Sequence, residues 1–121
     1  MTNVVMSCFD DGTPPVSFKW TEILVTLFKK RQYQITMVLH GECLKYSLRS
    51  SKYPGGSNPY KTMLKSLSKK YCVNIVVCNL CLTENDYSSE DVLPFIKPIP
   101  FSIDYIIQSQ VQDNAKVIYD S

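Results

Sequence analysis

Cys78 and Cys81 stand three residues apart in Cys78-Asn79-Leu80-Cys81, the C-x-x-C spacing of dithiol redox sites. Cys78 falls where an apolar strand-like run gives way to the next segment. Free backbone amides there would favour an anion, so a thiol can be drawn toward thiolate at neutral pH. A thioredoxin-like exchanger fits less well, because no aromatic residue precedes the pair and Asn79-Leu80 are not the small or proline-containing spacers that tighten such motifs. A second constellation, His40-Gly41-Glu42-Cys43, closes another apolar run. His40, Cys43, Cys78 and Cys81 together are four side chains of types that zinc accepts, although a lone histidine at a strand end more often serves as a hydrogen-bonded structural residue. Cys8 and Cys72 read as small buried hydrophobes.

Positioning these residues requires strands that end at them. Val4 to Phe9 reads as a first buried strand, followed by loop residues Asp10 to Pro15. From Val16 to Arg31 the residues Trp20, Ile23, Leu24, Leu27 and Phe28 recur at helical spacing, with Lys29, Lys30 and Arg31 in the last turn. Ile35 to Leu39 is a second strand, and Glu42 to Leu48 can hold two helical turns. Ser50 to Ser57 reads as a surface loop. Asn58 caps a helix from Pro59 to Tyr71 with Tyr60, Met63, Leu64 and Leu67 on one face and lysines on the other. Val73 to Cys78 is the third strand, Leu80 to Glu84 a short helix and Ser88 to Asp91 a further helix start. Ile96 to Ile99 is an edge strand because Pro98 lacks a ladder donor. Ser102 caps a helix bearing Ile103, Ile106, Ile107 and Val111, and Ala115 to Tyr119 is the fifth strand.

Continuous apolar strands between helical segments imply a largely parallel sheet covered on both faces, a three-layer α/β/α class. Ligands of such open sheets sit beyond the carboxyl ends of the strands, where His40, Gly41, Cys78 and Asn79 fall. The 121 residues suit a single domain spanning 1–121. Thirteen Lys and Arg against eleven Asp and Glu give +2, too slight a balance for phosphate-backbone recognition, so no nucleic acid is expected. No apolar stretch approaches the ~20 residues of a membrane span, and the N-terminus lacks the basic and apolar regions of a signal peptide. A cytoplasmic protein with five reduced thiols is the expectation. No G-x-S-x-G elbow or phosphate-binding glycine loop occurs, and no motif calls for a cofactor. Glu42, Glu84, Asp86, Glu90 and Asp91 read as exposed or capping carboxylates rather than acid/base pairs.

The chain resembles the DsrE/DsrF-like family of small α/β proteins of intracellular sulfur transfer. The likeness is carried by Met37-Val38-Leu39-His40-Gly41-Glu42, similar to the family's strand ending in His-Gly, by the helix Tyr60 to Tyr71, and by Val76-Val77-Cys78-Asn79, similar to its strand ending in cysteine. Ser89 to Pro94, the Pro98 strand and Ala115 to Tyr119 resemble its closing segment. The match spans about Gln34 to Tyr119. The resemblance implies a five-stranded parallel sheet in order 4-3-2-1-5, assembly into homotrimers or homohexamers, and a role for Cys78 in receiving sulfur as a persulfide and passing it to a partner protein. On that reading the Cys78 thiolate attacks the outer sulfur of a donor, and His40 hydrogen-bonds or protonates the departing group. The Asn79 and Leu80 amides steady the anion, and Cys81 or Cys43 resolves the persulfide. The sequence departs from the sulfur carriers after the cysteine, where Asn79-Leu80-Cys81-Leu82-Thr83-Glu84 replaces a small-residue and arginine-rich stretch. The alternative is a non-catalytic oligomeric binding or scaffold module whose cysteines are core residues.

Overall fold

The structure is a computed structural model that describes residues 2–9 and 21–119. The expected loop at Asp10 to Pro15 and the residues Val16 to Trp20 lie outside the described residues. Strands β1 (Asn3–Cys8), β2 (Gln34–Leu39), β3 (Asn74–Cys78), β4 (Lys97–Ile99) and β5 (Lys116–Tyr119) form one sheet in the order β4-β3-β2-β1-β5, every pairing parallel. The inner strands are nearly all buried, as their unbroken apolar runs require of a sheet covered on both sides. β4 is an edge strand, where the missing N–H of Pro98 costs no ladder bond within the sheet.

On one face Val4, Met6, Ile35, Met37, Leu39, Ile75 and Val77 form the larger core. Helices α1 (Thr21–Lys30) and α2 (Lys61–Lys69) cover it, through Leu24, Val25 and Phe28 and through Leu64 and Leu67. On the other face Val5, Val38, Val76 and Ile99 meet Tyr105 and Ile106 of α4 (Ser102–Gln112). A further α-helix, α3 (Asn79–Glu84), follows β3 directly.

Several local expectations change in three dimensions. Gly41–Ser47 is a 3-10 helix rather than two α turns. Asn58 does not cap α2 from the N-cap position: its Oδ1 accepts the Tyr60 amide at 2.9 Å, while its Nδ2 donates to the carbonyls of Tyr46 and Leu48. The helix therefore begins later, at Lys61. Most of the apolar stripe of α4 faces outward, with Ile103, Ile107 and Val111 exposed, Val111 at 78%, while Ile106 packs on the sheet. Periodicity reveals that a stripe exists but not which side the sheet occupies.

The cysteines differ most from expectation. Cys8, at the end of β1, and Cys43, in the 3-10 helix after β2, are joined by a disulfide, with Cα atoms 5.8 Å apart and 35 positions between them in sequence. Three thiols are therefore free instead of five, at Cys72, Cys78 and Cys81, and Cys43 has no thiol with which to resolve anything. The pairing arises because β1 and β2 are neighbours in register, Cys8 opposite Leu39, so the chain leaving β2 passes over the end of β1. Cys72 is exposed rather than buried, held outside by a backbone turn with φ of 56° just before β3.

Closing a loop of this length stabilises a fold by about 3–4 kcal/mol. The Cys8→Ala/Cys43→Ala double variant is expected to lose about that much in urea unfolding. Thiol titration in denaturant should count three sulfhydryls before reduction and five after; five at the outset would show the bond to be absent.

Candidate functional site

Strand register builds the site. Ser7 pairs with Val38 and Cys8 with Leu39, and Leu39 pairs with Val77, so Phe9, His40 and Cys78 form a row along the carboxyl rim. Side chains alternate between faces along a strand. Val5 and Ser7, Val38 and His40, and Val76 and Cys78 thus all lie on the side covered by α4.

The rim turn is shaped by Gly41. His40 donates its amide to the Cys8 carbonyl and Glu42 donates to the Phe9 carbonyl, each at 3.0 Å, while Gly41 takes a φ of +56° between them. A Cβ at Gly41 would lie 2.6 Å from the Phe9 carbonyl oxygen, so only glycine fits without displacement.

His40 is buried, with Nε2 2.8 Å from the Ser7 hydroxyl and Nδ1 2.9 Å from the Ser102 hydroxyl. The Phe9 ring stands edge-on to it at 5.0 Å. Burial lowers its pKa to about 4, so it is neutral at pH 7, one ring nitrogen donating and the other accepting. Ser102 was expected as a helix cap; its hydroxyl instead binds His40, and Phe101 occupies the N-cap position.

The amide of Ser102 also reaches Cys78, donating to its Sγ at 3.4 Å. The Cys81 amide donates to the same sulfur at 3.4 Å. Burial alone would raise the Cys78 thiol, but hydrogen bonds from the Cys81 side chain and amide and from Ser102 outweigh it and hold the pKa below the ordinary thiol value. Cys78 has no solvent exposure. Cys81 is only partly buried and accepts the Gly41 amide at 3.5 Å. Its thiol is pushed up to about 11, first by burial, with Cys78 and the Glu84 carboxylate adding to the rise against the Gly41 hydrogen bond.

A cavity of about 490 Å³ opens at this rim, within the size range of small-molecule sites. Cys81 and Ser102 lie in its wall beside Phe9, Leu80, Phe101 and Ile103, and Glu42, Lys45 and Glu84 are charged residues of its lining among the described residues. The structure therefore brings His40, Gly41, Cys78 and Cys81 into one connected group. Asn79 is exposed, and the Leu80 amide is taken by the Pro100 carbonyl at 3.2 Å, so the amides that reach the Cys78 sulfur belong to Cys81 and Ser102. Ser7 and Ser102 were missed by sequence reasoning; Ser7 could have been found only from the register that sets it beside His40. His40, Cys43, Cys78 and Cys81 do not form a four-ligand set, since Cys43 is bonded to Cys8 and both His40 nitrogens engage serines. Among the described residues no group of three or more His, Cys, Asp or Glu side chains is arranged to hold a metal ion.

The sequence profile of the DsrE/DsrF-like family matches residues 16–118. The chain belongs to the DsrE/DsrF-like family. Its membership reaches well ahead of Gln34, into the region of the first helix. Two solved structures show the same fold: the protein of unknown function MTH1491 from Methanobacterium thermoautotrophicum, with a TM-score of 0.69 and 15% identity over 98% of this chain and 99% of that one, and the ychN protein from E. coli, with a TM-score of 0.66 and 17% identity over the same shares. No curated protein matches the sequence. The DsrE/DsrF-like family is associated with sulfur relay in general. Among the described residues no helix is long and apolar enough to cross a membrane.

Because His40 titrates near 4 in the folded chain and near 6.5 when unfolded, the unfolded chain binds the extra proton first as pH falls. Its contribution to stability should be intact above about pH 6.5 and decline as pH drops toward 4. Urea midpoints at pH 7.5, 5.5 and 4.5 would show this decline in wild type and a shallower one in His40→Gln; equal slopes would refute the assignment.

Proposed function

We propose that this DsrE/DsrF-like protein relays sulfur, accepting a sulfur atom as a persulfide at the Cys78–Cys81 pair and passing it to a partner protein. The observation that carries the reading is the pair itself: an accessible thiol in the wall of a rim cavity, joined to a sheltered sulfur that receives two backbone amides. Two N–H donors favour the thiolate at Cys78, and thiolate is the reacting form. The exposed apolar rim residues Phe9, Leu80 and Phe101 suit a donor or partner brought against the cavity. His40, neutral at physiological pH, serves as a positioning residue that holds Ser102 over Cys78.

The same reading includes assembly into trimers or hexamers, for which the outward Ile103, Ile107 and Val111 of α4 offer an apolar face. It also includes a cytoplasmic setting, in which the complete burial of Cys8 and Cys43 shields their bond from small thiols. One observation favours a second reading, a non-catalytic binding or scaffold module: Cys78 has no exposed surface.

Protein carrying Cys72→Ser, which lacks the exposed free thiol, should gain the mass of one sulfur atom at the pair when incubated with an alkyl persulfide or thiosulfate and weighed intact. That gain should disappear in Cys78→Ser/Cys81→Ser. A gain that survives the double variant, or none in wild type, would favour the scaffold, in which both thiols resist alkylation until the protein unfolds.

A further inference from the structure

We infer that the relayed sulfur comes to rest on Cys81, with Cys78 acting as the base that takes the Cys81 proton rather than as the carrier; this rests on the sulfur-relay reading above. Access is the first reason. Cys81 lines the rim cavity, whereas Cys78 is enclosed beneath Cys81 and the start of α4, with no surface for a donor to approach. Hydrogen-bond direction is the second. Cys78 Sγ accepts from two amides that belong to different elements, an arrangement suited to a resident negative charge. A sulfur so stabilised as an anion, next to a protonated thiol, can take that thiol's proton as the thiol attacks a donor. The opposed shifts of the two thiols, Cys78 down and Cys81 up, agree with that placement of the proton.

The step balances without an oxidant or reductant. The Cys81 S–H gives its proton to the Cys78 thiolate as the Cys81 sulfur bonds the outer sulfur of a persulfide donor. The donor's S–S bond breaks, the outer sulfur keeps its own hydrogen, and the inner sulfur leaves as a thiolate that then takes the proton from Cys78. The products are a thiol and a Cys81 persulfide, with the Cys78 thiolate restored. The more basic thiol is the better nucleophile once deprotonated, and the less basic one the better leaving group. Sulfur transferred inward to Cys78 would therefore return to Cys81.

The test uses a Cys72→Ser background, which removes the exposed free thiol from the same segment. After treatment with an alkyl persulfide and capping, fragment-level mass spectrometry should place the added sulfur on Cys81. Cys78→Ser should still load, about a hundredfold more slowly, in line with loss of a proton-transfer partner. Cys81→Ser should not load. Sulfur mapped to Cys78, loading of Cys81→Ser at the wild-type rate, or a Cys78–Cys81 disulfide with released hydrosulfide would overturn the inference and leave the pair as the reacting site. Absence of added sulfur on either thiol would instead remove the relay reading, and this inference with it. Limiting iodoacetamide, which needs no sulfur donor, should alkylate Cys81 before Cys78 and do so more slowly in Cys78→Ser; alkylation of Cys78 first would also overturn it.

Discussion

The site depends on one buried imidazole held between two serine hydroxyls. His40 extends β2, Ser7 belongs to β1 and Ser102 opens α4, so two hydrogen bonds tie two strands to the helix lying over them. Removing either partner would leave a buried polar nitrogen unsatisfied, a cost of about 1–3 kcal/mol. The consequence reaches beyond His40, because the residue whose hydroxyl it holds also presents an amide to the Cys78 sulfur. The start of α4 is thereby fixed in the orientation that stabilises a thiolate.

Two devices keep the rim in shape around this contact. Gly41 allows the chain to turn against the Phe9 carbonyl at a distance no other residue tolerates, and its amide then reaches Cys81. The Cys8–Cys43 disulfide ties the segment after that turn back to β1. With the turn and the helix both anchored, the two thiols of the Cys78–Cys81 pair occupy unlike surroundings despite being three residues apart. One is enclosed among donors; the other borders a cavity and feels the Glu84 carboxylate. A reactive pair in this protein is thus asymmetric, and its asymmetry comes from which elements lie above each sulfur.

Much of the architecture was legible in the sequence because strands buried on both faces must be continuously apolar, and such runs end where loops begin. Val4 to Phe9, Ile35 to Leu39 and Val73 to Cys78 each fall within a residue of the observed strands, and Pro98 marked the edge. His40 and Cys78 could be placed at strand ends by the same logic, and the parallel class put those ends on one rim. The resemblance of scattered motifs to the DsrE/DsrF-like family supplied the strand order that periodicity cannot.

What the residues alone determined, then, is a parallel α/β sheet with a histidine and a C-x-x-C pair at its carboxyl edge, since those follow from local composition and spacing. Only the tertiary structure decided that Cys8 bonds Cys43, that Ser7 and Ser102 share His40, that Cys72 faces outward, and that Cys81 rather than Cys78 meets the cavity. Each of these is a contact or a burial set by strand register and by the side from which a helix covers the sheet. Neither leaves a periodic trace in the chain, because residues brought together from distant positions are related by the fold and not by their spacing.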